Sequence, residues 1–158
     1  MELTFAPKGI LQIDDASICY RNFEGRGDDF NREGDRNFSL IIPTEEMRDE
    51  LEAEGWRIKT RPPREEGDTP FMTLPVKVKF NGRGPAVYLQ AGSAPVRELD
   101  EESVGILDRI DILSVNLDIR PYDWELKSGK TGRSAYLQSI HVIQSTNRFA
   151  ERFSNQEV

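Results

Sequence analysis

The chain has 158 residues, a formal net charge of −7 and a hydrophobic share of 37%. This length suits one compact domain, so we expect a single domain over residues 1–158, with loosely ordered tails at 1–9 and 144–158. No apolar run approaches the ~20 residues of a membrane span and no secretory signal is visible, so we expect a cytoplasmic protein. A lone Cys19 excludes an internal disulfide and a thiolate metal cluster.

Acidic and basic residues are segregated along the chain. Residues 44–55 carry six acids and one base, and residues 97–111 carry six acids and two bases. Residues 56–85, by contrast, carry seven bases and three acids. Such a bipolar molecule could present one positive face to an anion, although ordinary solvated surface charge explains the pattern equally well.

Short stretches in which apolar and polar residues alternate predict a succession of strands. Before the last third of the chain they lie at residues 10–23, 37–42, 56–60, 71–80 and 86–90. Pro75 indicates an edge strand or a bulge, and the turn at 81–84 makes 86–90 the expected returning strand of a hairpin. The loop at 24–35 is dense in Gly, Asp and Arg and carries Phe30 in its middle.

Two short helices are predicted where acidic residues cluster. Thr44 is the expected N-cap of the first helix, and Gly55 is its expected C-terminal cap. Asp100 is the expected cap of the second helix, which runs through Ile110. Its apolar residues could plug one end of a sheet or barrel.

The last third of the chain predicts one long hairpin from Asp111 to Ile143, with a basic, glycine-rich tip. Apolar and polar side chains alternate in both arms, as in half-buried strands. Tyr122, Trp124 and Tyr136 flank the tip, and together with Arg120 they should lie close together across the strand pair. Many antiparallel strands with two short helices favour a mainly β (α+β) domain, most economically a small barrel.

Motifs for catalysis and metal binding fail on spacing. The segment Ser128–Thr131 imitates the end of a phosphate-binding P-loop, but Trp124 stands where a glycine is required and a strand follows instead of a helix. His141 is the single histidine and lies in a strand, where a structural role is the simpler interpretation. We therefore predict no enzyme, no metal site and no cofactor.

Aromatic residues interleaved with cations are the remaining signal. Single-stranded nucleic acid is bound in this way, because bases stack on aromatic rings while a basic groove follows the phosphates. The candidate stacking residues are Phe30, Tyr122, Trp124 and Tyr136. The candidate phosphate contacts are Arg21, Arg36, Lys77, Lys79, Arg120, Lys127, Lys130 and Arg133. Burial in the core is the alternative for each ring.

Several short segments resemble a group of bacteriophage and prophage single-stranded DNA-binding proteins. They are Ile18–Phe23 (ICYRNF), Gly34–Phe38 (GDRNF), Gly55–Trp56, Ile119–Trp124 (IRPYDW) and Ala135–Leu137 (AYL). The resemblance implies an OB-like barrel elaborated with helices, which coats single-stranded DNA during phage replication or recombination in the host cytoplasm. It also implies phage replication or recombination proteins as partners. Many such proteins end in an acidic tail with a terminal aromatic, and Ser154–Val158 departs from that pattern.

Two other functions stay open at this point. The acidic helices could dock onto a protein, which would make the chain a phage structural or protein-interaction module. The same helices could instead mimic DNA and occupy a host enzyme. Homo-oligomer formation is compatible with every one of these functions.

Overall fold

The computed structural model describes residues 1–82 and 84–146, and β-strands dominate this part of the chain. The strands are β1 (Glu2–Phe5), β2 (Leu11–Ala16), β3 (Ile18–Asn22), β4 (Arg36–Ile42), β5 (Lys59–Arg61), β6 (Phe71–Val78), β7 (Ala86–Ala91), β8 (Arg97–Leu99), β9 (Ile112–Glu125) and β10 (Thr131–Gln144). One α-helix, α1 (Glu45–Ala53), and 3₁₀ turns at Pro7–Gly9 and Val104–Asp108 accompany them in the described residues.

All ten strands of the described chain belong to one mixed sheet. Its main path runs β1-β2-β9-β10-β6-β4-β3, while β5 pairs with β6 and β7 pairs with both β10 and β8. Leu11 of β2 and Leu40 of β4 come from opposite ends of this path, yet both are fully buried in the same hydrophobic core. The sheet is therefore curled around its core, which confirms the predicted mainly β, barrel-like fold.

Parallel pairing is the feature of the sheet that the sequence did not indicate. β10 runs antiparallel to β9 but parallel to both β6 and β7. The turn at 81–84 therefore does not lead into a hairpin, and the strand after it lies beside β10 instead of β6. β6 has no room for it, because β4 pairs along one edge and β5 and β10 share the other.

The helix α1 is fixed at both ends as its sequence predicts. The side-chain oxygen of Thr44 accepts a hydrogen bond from the Met47 amide at 3.2 Å. At the other end Gly55 takes the left-handed conformation, with φ 100°, and the Trp56 amide donates to the Leu51 carbonyl at 3.0 Å. Leu51 and Trp56 are both buried, so this terminal motif also anchors the helix in the core.

Other segments differ from the expectations in their bounds. The strand expected over 10–23 is interrupted after Ala16, because a bulge bends it away from β9 and lets β3 pair with β4. The expected helix from Asp100 is a 3₁₀ turn that covers only Val104–Asp108. The expected loose leader at 1–9 contains β1, which pairs with β2. Most of the tail expected at 144–158 lies outside the described residues.

Pro75 lies inside the sheet, opposite Ser39 of β4. Its missing N–H faces the other edge of β6. On that edge β5 pairs only as far as Thr73, and β10 pairs at Lys77. The proline therefore occupies the gap between two partner strands, where no ladder hydrogen bond is lost.

Candidate nucleic-acid interface

A basic groove of about 730 Å³ crosses the sheet over β4, β6 and β10. The segment 57–59 after α1 forms one wall, and residues of the 31–37 segment form the other. Two acidic side chains, Asp35 and Glu101, lie along the groove. Six basic side chains line it: Arg36, Arg57, Lys59, Lys77, Lys79 and Arg133.

Strand alternation in β6 places lysines on the groove face. Val76 and Val78 are buried in the core, whereas Lys77 and Lys79 are exposed on the opposite face. Lys77 lies opposite Asn37 of β4 on one side and Tyr136 of β10 on the other. The chain therefore presents a cation between an amide and an aromatic ring at the centre of the groove.

Tyr136 is the centre of a compact cluster of cations and rings. The Nζ of Lys77 lies 5.7 Å from the ring centroid of Tyr136, and the Cζ of Arg120 lies 5.1 Å from it. The ring of Tyr122 meets Tyr136 edge-on at a centroid distance of 6.1 Å. Tyr122 is 56% exposed, so an aromatic face remains open to solvent beside two positive charges. Such a surface can stack a planar base and bind its phosphate.

Arg133 joins the end of α1 to the hairpin. Its guanidinium donates to both carboxylate oxygens of Asp123, at 2.6 and 3.1 Å, and to the Glu54 carbonyl at 2.8 Å. Its Cζ also lies 5.2 Å from the ring of the buried Trp56. The hydrogen bond from Arg133, assisted by its positive charge, holds the pKa of Asp123 below the ordinary carboxyl value. Because Arg133 holds the helix end, it also fixes the wall at 57–59.

Trp124 is half-buried and packs across Gly132, its cross-strand neighbour. A side chain at Gly132 would overlap the indole, so the glycine is required for this contact. Trp124 borders a shallow depression together with Arg57, and the Nη2 of Arg57 donates to the Thr131 carbonyl at 2.8 Å. Arg57 also lines the basic groove, so the Trp124 indole lies next to the groove.

Phe30 projects from a loop that is held by its own hydrogen bonds. The side-chain Nδ2 of Asn31 donates to the backbone carbonyls of Arg26, Arg32 and Asp35 at 2.8 to 3.1 Å. The side-chain oxygen of Asn31 accepts a hydrogen bond from Nδ2 of Asn37 at 2.9 Å. Asn31 lines the groove, whereas Phe30 is 99% exposed and lies outside the lining. The loop thus carries a bare aromatic ring at the rim.

Like Arg133, two further candidate arginines donate hydrogen bonds to acceptors within the protein. Arg21 donates from Nη1 to the carbonyls of Leu107 and Ile110, at 2.7 and 2.8 Å, and it is not among the residues that line the groove. Arg36 lines the groove but donates to the Phe23 carbonyl at 2.9 Å and to Glu101 at 3.3 Å. Both side chains therefore have structural contacts of their own.

The hairpin tip carries the remaining candidates. Lys127 and Lys130 are exposed and do not line the groove. The tip turns through a hydrogen bond of 2.8 Å from the Leu126 amide to the Lys130 carbonyl. The structure thus groups Lys77, Arg120, Tyr122 and Tyr136 closely and places both tip lysines beyond them.

Arg57, Lys59 and Asn31 line the groove but were not among the sequence candidates. The alternation of Trp56, Arg57, Ile58 and Lys59 was the available signal, since Trp56 is buried and Ile58 partly buried, whereas both cations are exposed. No comparable signal existed for Asn31, whose position depends on the folded loop.

Neither a metal-binding cluster nor a membrane-spanning helix is found in the described residues. Within the described residues, no group of three or more His, Cys, Asp and Glu side chains is placed to hold a metal ion. No helix in that part of the chain is long and apolar enough to cross a membrane.

Solved structures with a similar fold come from a bacteriophage. A C-terminal truncation of the single-stranded DNA-binding protein from bacteriophage Enc34 superposes with a TM-score of 0.57 at 14% identity, over 93% of this chain and 97% of that chain. The Enc34 protein in complex with single-stranded DNA gives 0.56 at 14% identity, over 93% of each chain. At this identity the likeness shows a shared fold, the OB-like fold of these proteins.

Family membership is shown by sequence. No curated protein matches the chain significantly. Residues 3–157, however, match the family described as "Putative phage ssDNA-binding domain". This match spans nearly the whole chain and agrees with both the resemblance of the short segments and the fold. The chain therefore belongs to the phage single-stranded DNA-binding domain family.

Proposed function

We propose that the protein binds single-stranded DNA without sequence preference in the basic groove, and coats it during phage DNA replication or recombination in the host cytoplasm. Binding, not catalysis, is the proposed activity. Bases stack on the rings at the groove while lysines and arginines contact the phosphates. Sequence tolerance follows because every base has a face that can stack.

The observation that carries this proposal is the cluster around Tyr136. Lys77 and Arg120 lie 5.7 and 5.1 Å from one ring, and Tyr122 supplies a second, exposed ring beside it. An isolated Lys or Tyr on a protein surface does not indicate a nucleic-acid-binding site. Two cations and two rings that converge from three strands form the combination that stacking and phosphate binding need.

The other predicted residues take roles according to their place in this proposal. Trp124 borders the groove and Phe30 projects at its rim. Both rings are proposed to stack on bases of the DNA strand that lie beyond the cluster around Tyr136. Lys127 and Lys130 are proposed to contact phosphates farther along the hairpin. Arg21, Arg36 and Arg133 have protein acceptors already, so they are proposed mainly to hold the walls in place.

The comparisons support the proposal at the level of the family. One similar structure, the Enc34 protein, contains single-stranded DNA, and the family description names the same ligand. Involvement of phage replication or recombination proteins as partners is a further part of the proposal.

Fluorescence anisotropy with a labelled oligo-dT of ~30 nucleotides tests the proposal. We expect saturable binding that weakens steeply as salt is added. Tyr136→Ala should weaken binding about 5-fold or more, since one stacked base contributes ~1–3 kcal/mol. Tyr88→Ala, an exposed ring on β7 outside the groove lining, is the matched control. Absence of binding at low salt would refute the proposal.

A further inference from the structure

A second cluster of rings and charge, which we call the distal cluster, consists of Tyr20, Phe71 and Arg61. The rings of Tyr20 and Phe71 meet edge-on, with centroids 6.3 Å apart and an interplanar angle of 88°. The Cζ of Arg61 lies 5.7 Å from the Phe71 centroid. Tyr20 is 61% exposed and Phe71 is 36% exposed. The pair therefore combines solvent-exposed aromatic surface with a cation, as the cluster around Tyr136 does.

The distal cluster lies on the same face of the sheet as the groove. Lys77 follows Phe71 by six positions in β6, an even number, so their side chains project from the same face. The register between β4 and β6 is unbroken from Met72 to Val78, so no bulge reverses this face. At ~3.3 Å per residue, β6 places Lys77 about 20 Å from Phe71.

β5 connects the two sites along the same surface. Lys59, which lines the groove, lies opposite Thr73 of β6, and Arg61 lies opposite Phe71. Lys59 and Arg61 are two residues apart, so both side chains project from the groove face. A row of positive charge therefore continues from the groove to the distal cluster.

The backbone at Tyr20 has an unusual conformation. Its φ of 51° is a left-handed conformation that is uncommon for a residue with a bulky side chain. This conformation coincides with the irregular register between Cys19 and Asn22, where β3 departs from β4. The backbone thus adopts a strained geometry and directs the ring to a position that is mostly open to solvent. Strain of this kind is concentrated at functional sites.

We propose that the distal cluster is a second base-stacking subsite for the same single strand of DNA, which runs along β6 from the groove. A base stacks on the exposed rings of Tyr20 and Phe71, and Arg61 contacts an adjacent phosphate. This inference rests on the proposed function of the groove. It adds a path for the DNA along β6 and a minimum length for the bound DNA, because a single strand must cross about 20 Å to occupy both subsites.

The first test replaces the ring of Tyr20 and preserves its backbone. Tyr20→Asn removes the aromatic face, and asparagine tolerates a positive φ better than most residues. With a labelled dT oligomer of ~12 nucleotides, we expect Tyr20→Asn to weaken binding about 5-fold or more. Tyr20→Phe keeps the ring and should bind like the wild type. Tyr88→Asn, which removes an exposed ring from β7, is the matched control.

The second test locates the DNA on the wild-type protein. Oligo-dT that carries one 5-iodouracil at successive positions is crosslinked by light, and the modified residues are identified by mass spectrometry. We expect crosslinks at Tyr20 or Phe71 from positions near one end of the strand, and at Tyr122 or Tyr136 from positions near the other. This measurement remains decisive even if Tyr20→Asn fails to fold, which circular dichroism would reveal.

The outcomes separate the two proposals. If the wild-type protein binds no oligo-dT at low salt, both proposals are overturned. If it binds, but crosslinks only at the groove and Tyr20→Asn folds and binds as tightly as the wild type, the distal cluster is no subsite and the groove proposal stands. Crosslinks at the distal cluster together with weaker binding by Tyr20→Asn would support both.

Discussion

Replacement of the three groove lysines by glutamine gives the sharpest test of the proposal that the groove binds DNA. Lys59, Lys77 and Lys79 are exposed, and within the described chain none of them forms an ion pair. The arginines of the groove, in contrast, already donate to protein acceptors. The lysines are therefore the side chains most free to replace the counterions of a nucleic acid.

The expected magnitude follows from counterion release. Each phosphate contact on a single strand contributes about −0.7 to the slope of log Kobs against log salt, so three lysines together contribute about −2. A rise in salt from ~50 to ~200 mM should therefore weaken the wild type about 20-fold more than the triple variant. Stability should hardly change, since exposed side chains without ion pairs contribute little to it.

Fluorescence anisotropy at four or more salt concentrations gives the two slopes. The matched control replaces Lys8, Arg64 and Arg97 by glutamine, which removes the same charge from exposed positions outside the groove lining. We expect the control to retain the wild-type slope, because these three side chains do not line the groove and are not proposed to contact phosphates. Equal slopes for wild type and groove variant, or a flatter slope for the control, would contradict the assignment of the groove.

Three further predictions concern the structure that supports the groove. A methyl group at Gly132 would overlap the Trp124 indole, so Gly132→Ala should shift the tryptophan emission and lower the free energy of unfolding by about 1–3 kcal/mol; unchanged emission would contradict this packing. Asp123 has a lowered pKa when folded, so its pair with Arg133 stabilises the protein above a pH of about 4 and is lost as pH falls through the folded pKa. Asp123→Asn should therefore cost less than about 1 kcal/mol in urea unfolding at pH 7, and this cost should shrink as pH falls through the folded pKa of Asp123; a cost that persists in strong acid would argue against the ion pair. Phe23 is fully buried and stacked on a second buried ring, so Phe23→Ala should cost about 3–5 kcal/mol in thermal unfolding, and a cost below 1 kcal/mol would place the ring outside the core.

The hairpin shows what the sequence could predict about the site. Two long alternating strands and a short turn fix their own register, since a slip of one residue would turn every apolar side chain outward. The meeting of Arg120, Tyr122 and Tyr136 across the strand pair is therefore readable from spacing alone, and the structure confirms it for these three residues. Trp124, the fourth residue of that prediction, packs across Gly132. The caps of α1 were also predictable from the sequence, because each cap depends only on residues next to that end of the helix.

Contacts between distant strands were beyond prediction. The groove depends on β6 lying parallel to β10, so that Lys77 meets Tyr136, and no local pattern indicates which strands become neighbours. The turn at 81–84 even favoured a hairpin between β6 and β7, whereas β7 pairs with β10. Arg21 illustrates a second limit, since it is a cation beside aromatics in the sequence but donates to two carbonyls of a distant turn. Composition cannot distinguish a cation that is available to a ligand from one that already donates hydrogen bonds within the protein.

The distribution of charge explains how a protein with a net charge of −7 can offer a site to a polyanion. Six bases and two acids line the groove, whereas the acidic residues of α1 are exposed and lie outside its lining. At physiological salt the Debye length is ~8 Å, so DNA bound in the groove as proposed would interact mainly with the lining and little with more distant acids. At low salt the whole negative molecule acts at longer range and opposes the approach of DNA. The groove should therefore govern the lifetime of the complex more than the rate at which it forms.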